Sequence, residues 1–162
     1  MRAGMRSVLS VLALAGLVAG CATMMEPPPT LYERLTARDF LPGGAERVVA
    51  GRDAIALVVD DFVANVVADG RINARFKALK PPEVNKLKSN LADQICQATA
   101  GPCSYLGRDM KETHKGMKIS DAEWNATVEA LVKALDRRKV SEKEKTELLG
   151  LLGPMKGEIV GQ

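Results

Sequence analysis

His114 is the only histidine in the chain, with Met110 four residues before it and Met117 three after. A neutral imidazole can give one ring nitrogen to a transition metal while the other donates to a carbonyl or carboxylate that fixes the ring. Thioethers are soft and polarisable, which suits Met110 and Met117 to lining an apolar site rather than ligating in it. On residue types alone, a lone histidine between two methionines is ordinarily structural. The cysteines, Cys21, Cys96 and Cys103, do not form zinc-type pairs. The sequence holds no acid–base pair or nucleophile triad that would support a hydrolase or transferase.

The elements that position these residues belong to one domain. Hydrophobic residues make up 46% and charged residues 27% of the 162, the balance of a soluble globular protein. Aromatics are only 4%, so the core must be built from Leu, Val, Ile, Ala and Met. The formal charge is +3, two of it from Arg2 and Arg6. A value so near neutral, with no basic run beside exposed aromatics, gives no reason to expect a nucleic-acid partner.

Residues 1–20 read as a secretory signal: Arg2 and Arg6, then an uncharged apolar run from Val8 to Gly20. That run is too short for a comfortable permanent span. It ends in Leu17-Val18-Ala19-Gly20-Cys21, which resembles the lipobox of bacterial lipoproteins. The resemblance implies cleavage before Cys21 and lipid on Cys21. The competing reading is an ordinary signal peptide with a chance cysteine. Ala22, where aspartate would retain a lipoprotein at the inner membrane, implies the periplasmic face of the outer membrane. Residues 21–30, with Pro27-Pro28-Pro29, read as a stiff lipidated tether, and residues 31–162 as the folded domain. Export would permit a Cys96–Cys103 disulfide across the break Ala100-Gly101-Pro102; two reduced, half-buried thiols are the alternative.

From residue 51 onward the apolar period is helical. Ile55, Val58, Phe62 and Val66 recur every three or four residues, widened by Val59, Val63 and Val67, and Gly70 ends the helix. Pro81-Pro82 opens another, with Val84, Leu87, Leu91 and Ile95 on one face. A short segment carries Met110, His114 and Met117. Ser120 and Glu123 form a capping box before a long helix with Trp124, Val128, Leu131 and Leu135 inward. Ser141 and Glu144 repeat the signal before a last helix with Leu148, Leu149, Leu152 and Met155, kinked at Pro154. The expected fold is all-α, with about five helices.

Two stretches carry a family resemblance. One is Asp60-Asp61-Phe62-Val63-Ala64-Asn65-Val66, continuing through Asp69 to Phe76. The other is Leu87-Lys88-Ser89-Asn90-Leu91, then Gly101-Pro102, then Tyr105-Leu106-Gly107-Arg108-Asp109-Met110 and His114. In order and spacing these resemble the group I truncated haemoglobins. Leu31 to Leu35 and Leu151 to Val160 resemble the family's first and last helices. The resemblance implies a globin-like two-over-two helical sandwich around haem b that binds O2 or another diatomic gas. It implies that His114 is the proximal iron ligand and that Phe76 wedges against the haem. Phe62 falls beside the distal pocket, and Leu87 and Leu91 face the sixth coordination site. Met110 and Met117 would line the haem. No C-x-x-C-H signal is present, so covalent haem of that type is excluded.

The sequence departs from the family pattern at three places. Val63 stands where a distal tyrosine is usual, Leu91 where glutamine is frequent, and Thr36 to Ala50 form an insertion. A donor to bound O2 contributes roughly 1–3 kcal/mol as a charge-assisted contact. Val63, Leu87 and Leu91 offer none; Asn90 or Gln94 could swing in, but their helical phase is read as different. The expectation is faster O2 release and easier oxidation than in relatives with the tyrosine, with NO and CO less affected. Lys86 and Lys88 are read as solvated or propionate-pairing side chains, with distal ligation as the minor alternative; Arg108 could pair with a propionate or with Asp109. The reading is thus a gas-binding haem protein at the cell envelope, of the oxygen-binding or transport class. Slow NO dioxygenase or peroxidase-like turnover and an unidentified reductase are compatible with it. A haem-linked electron-transfer lipoprotein or a haem-free helical adaptor are the alternatives.

Overall fold

The computed structural model describes residues 26–36 and 51–162. The leader, Cys21 and the insertion beyond Thr36 lie outside the described residues. Seven α-helices follow in order among those described: α1 Leu31–Thr36, α2 Arg52–Ala68, α3 Pro81–Ala98, α4 Met110–His114, α5 Asp121–Arg137, α6 Glu142–Leu152 and α7 Lys156–Ile159. A 3-10 turn, Asn73–Arg75, lies between α2 and α3, and another, Gly153–Met155, joins α6 to α7.

Local sequence explains the helix ends. At α3, Pro81 needs no intrahelical partner for the hydrogen it lacks, and the Lys80 N–H donates to Glu83 Oε2 at 2.7 Å. At α5 the capping box forms: Glu123 N–H donates to Ser120 Oγ at 3.2 Å, and Ser120 N–H to Glu123 Oε2 at 2.8 Å. The Ser120 N–H and hydroxyl, both donating to Oε2, hold the Glu123 carboxyl below its usual range. Pro154 ends α6 and forces the 3-10 turn before α7.

The core is centred on α2, which packs against α3 and α5. Its Ala54, Ile55, Val58, Val59, Val63 and Val66 are buried. On α5 the buried face is rotated from the sequence expectation. Ala126, Ala130 and Ala134, with Leu131 and Leu135, face inward, while Trp124 and Val128 are only half-buried. Alanines at every fourth position let the α2 backbone come close: Asn65 Nδ2 donates to the Ala130 carbonyl at 3.0 Å. Beside that contact Asp61, buried on α2, accepts from Arg138 Nε at 2.6 Å and Arg137 Nη1 at 3.3 Å. α1 closes the other side with Leu31 and Leu35 buried in the same core.

Cys96 and Cys103 form a disulfide, with Cα atoms 5.7 Å apart. It clasps the end of α3 to the loop after it. Gly101 lies inside the clasp, where a Cβ would stand 2.4 Å from the Tyr32 ring and 2.8 Å from the Cys96 carbonyl oxygen.

Candidate functional site

The clasped loop determines where α4 begins. Tyr105 N–H donates to Gln97 Oε1 at 2.7 Å, and the Tyr105 hydroxyl donates to the Arg108 carbonyl at 2.7 Å. Its ring covers Gly107, where a Cβ would meet the phenol oxygen at 2.3 Å. Burial pushes the Tyr105 hydroxyl above its usual range. The Tyr105-x-Gly107 pair thus folds the loop on itself and delivers Asp109, which caps α4 by accepting from Glu112 N–H at 2.8 Å. Sequence reading singled out this stretch by resemblance; the ring-over-glycine contact is its physical content.

α4 is one turn and a half long, and His114 is its last residue. His114 Nδ1 donates to the Met110 carbonyl at 2.7 Å. That bond uses Nδ1 as the donor and leaves Nε2 as the ring nitrogen without a protein partner. The helix is held at both ends. Arg75 Nη2 donates to the Met117 carbonyl at 2.6 Å. Beyond the turn, Lys118 N–H donates to the Gln162 carbonyl at 2.7 Å and Gly161 N–H to the Ile119 carbonyl at 2.9 Å. α7 packs on α4 from the same side.

The other residues singled out from sequence divide into groups. Val63 is only 4% exposed and belongs to the main core cluster. Phe62 bridges that cluster and a second one formed by Val66, Ile72, Ala126 and Ala130, against which Phe76 also packs. Leu91 packs on the main core, Leu87 and Met110 are half-buried, and Met117 is 37% exposed on the turn after α4. Lys88 pairs with Asp60 at 2.9 Å, and Lys86 is exposed.

One residue was misplaced by sequence reading. Gln94 follows Leu87 by seven residues, about two turns, and so shares its stripe on α3. Its amide nitrogen lies 3.5 Å from Met110 Sδ and 3.5 Å from Met155 Sδ. This is where α3 meets α4. The expectation of a different phase is corrected: Gln94 is on the side of α3 that looks toward the helix of His114.

His114 would suit a flat apolar macrocycle whose metal takes one imidazole nitrogen. It offers an imidazole held by the Met110 carbonyl, with Met110 half-buried on the same helix. It does not fit a hydrated ion, since no cluster of three metal-ligating His, Cys, Asp or Glu exists among the described residues. An apolar void of about 10 Å³ between Leu35, Ala54, Ile55, Val58, Ile95, Leu135 and Leu148 is separate from His114. It has room for no more than about one water and no polar partner for it.

Residues 47–160 match the profile of the family described as bacterial-like globin. The chain belongs to that family. This globin is 29% identical over 111 residues to the group 1 truncated haemoglobin GlbN of Mycolicibacterium paratuberculosis, covering 68% of this chain and 79% of that protein. Among solved structures it resembles a variant of the truncated haemoglobin of Tetrahymena pyriformis in its Fe(III) form. The TM-score is 0.68 at 25% identity, over 83% of this chain and 100% of that one. It also resembles the 2/2 haemoglobin of Synechococcus, solved in the cyanomet state with covalently attached haem. There the TM-score is 0.61 at 28% identity, over 77% and 91% of the two chains. The architecture of this globin is accordingly the all-α two-over-two fold.

Proposed function

We propose that this globin holds haem b through His114 Nε2 and reversibly binds a diatomic gas, O2, NO or CO, on the side lined by Val63, Leu87 and Leu91. Haem b, when bound, supplies the iron that takes the gas. The observation that carries the reading is the His114 Nδ1 bond to the Met110 carbonyl inside a globin fold. It holds the ring in one orientation, with Met110 half-buried on the same helix. Phe62, Phe76 and Met110 would shield the macrocycle from water and Met117 would stand at its rim, so that the ligand bond forms in a low-dielectric site. His114 is the only histidine, so a second histidine from the same chain cannot close the opposite face.

We place the protein at the cell envelope, anchored by lipid on Cys21 and facing the periplasm from the outer membrane. The Cys96–Cys103 disulfide supports an oxidising compartment. A reductase would be required to return ferric haem to the gas-binding state.

Absorption spectroscopy tests the haem reading. Haem-supplemented wild type should show a Soret band that shifts on reduction and again with CO. His114→Ala should lose that band or bind haem far more weakly; an unchanged spectrum in the variant overturns the ligand. Labelled palmitate should enter the wild type and not Cys21→Ser.

A further inference from the structure

We propose that Arg75 is a positioning residue for the iron site of this globin: it fixes the direction of His114 by holding the turn that follows it. The proposal rests on the haem reading above and goes beyond it, because Arg75 acts through the Met117 carbonyl rather than on the imidazole itself.

The need for such a residue comes from the size of α4. Five residues form too few internal hydrogen bonds to keep a helix of that length in place alone. His114 is its last residue, where an unsupported helix frays. The chain then reverses at once. Met117 N–H donates to the His114 carbonyl at 2.9 Å. The corner is made by Lys115 at φ −54°, ψ 127° and Gly116 at φ 77°, as in a type II turn. His114 is thus both the end of the helix and the start of the turn, and the place where the turn is held sets the direction of its side chain.

Arg75 holds that turn from a distant part of the chain. Its Nη2 donates to the carbonyl of Met117, the closing residue, at 2.6 Å in a charge-assisted bond. The same nitrogen lies 3.7 Å from Glu123 Oε1 in the first turn of α5, and the other oxygen of that carboxylate is held by Ser120. The base of the Arg75 side chain is fixed as well. Asn73, buried in the same 3-10 turn, donates from Nδ2 to the Val67 carbonyl at 3.2 Å. The Ile72 and Asn73 N–H groups donate to the Asp69 carbonyl at 3.1 and 2.9 Å. Phe76, the next residue, packs on the second core cluster. The guanidinium therefore carries the fixed end of α2 across to the turn on His114. Lys115, by contrast, pairs at 3.6 Å with Glu112 of α4 itself. A ligating side chain whose backbone is already held loses less freedom when it bonds, and a loosened turn would let the ring take several orientations.

The test uses the full chain with Arg75→Met and Arg75→Lys. Arg52→Met is the control, since it removes an ion pair to Asp93 that ties α2 to α3. Two quantities are read. One is the hydrogen-exchange rate of the Met117 amide by NMR, with and without haem. The other is the iron–histidine stretching band of the reduced, haem-loaded protein by resonance Raman. Arg75→Met should speed exchange at Met117 about ten-fold and shift or broaden the band. Arg75→Lys, which keeps a charged donor, should stand between it and the wild type. Arg52→Met should lower the urea midpoint and leave both quantities at their wild-type values. Unchanged exchange in Arg75→Met overturns the proposal. So does an unchanged band, because the turn would then be held without directing the ring, and so do equal changes in Arg52→Met. If the wild type takes up no haem, the gas-binding reading falls; the Met117 exchange rate then decides by itself whether Arg75 holds the His114 turn.

Discussion

His114 Nδ1 and the Met110 carbonyl oxygen are 2.7 Å apart, within a helix only long enough to contain both. The helix therefore serves as a holder for one ring. Its start is fixed by Asp109 and its far side by the pairing of Lys118 and Ile119 with the chain's last residues. A side chain held from i to i−4 loses rotamer freedom before any ligand arrives, so less ordering is left to be done on binding.

The distal side follows from the residue at position 63. Val63 is buried on α2, and the proposed function puts it beside the gas ligand. In haem-loaded protein, Val63→Tyr should slow O2 release about ten-fold, the effect of one added charge-assisted hydrogen bond. Stopped-flow displacement of O2 by CO measures it. No slowing would count against placing Val63 beside the ligand.

The disulfide closes a short loop at the end of α3, between Cys96 and Cys103, separated by seven positions. Cys103→Ser or reduction should cost about 2 kcal/mol of stability through the entropy returned to the unfolded chain. Urea unfolding with and without reductant reads this. Because the same loop leads through Tyr105 to Asp109, haem affinity should fall with it.

Asp61 and Arg138 tie α2 to α5 inside the fold, with side chains 11% and 14% exposed. Asp61→Ala should destabilise by about 3 kcal/mol, since it takes a carboxylate from a largely buried ion pair. Arg137 is 64% exposed and meets Asp61 at 3.3 Å, so Arg137→Ala should cost no more than about 0.5 kcal/mol. Equal losses in denaturant midpoint for the two variants would contradict this ranking.

Asp69 ends α2 and binds Arg71 through both carboxylate oxygens, and Arg71 reaches on to Glu129 of α5 at 2.7 Å. The Arg71 hydrogen bonds hold the Asp69 carboxyl at about 2 instead of 3.8. The folded state thus keeps this group ionised where the unfolded chain protonates it. Its contribution is complete above pH 3.8 and is lost as the pH falls to about 2. Thermal unfolding followed between those values should show a weaker pH dependence in Asp69→Asn than in wild type.

The helices of this globin were legible in its sequence because their signals are local. Pro81-Pro82, the Ser120–Glu123 box and Pro154 act within one or two turns, and apolar repeats announce a buried face whatever lies opposite. His114 stood out in the sequence as the single imidazole, and the structure places it at the end of α4. Tertiary packing decided which flank of each helix turned inward. On α5 the alanine stripe is buried while Trp124 and Val128 are half-buried, and Asn65 of α2 reaches the Ala130 carbonyl on that stripe. Packing also joined Cys96 to Cys103, left Met117 at the surface, and set the Gln94 amide against Met110 and Met155. Each of these depends on residues distant in sequence meeting in space, and no repeat or cap along one helix encodes such a meeting.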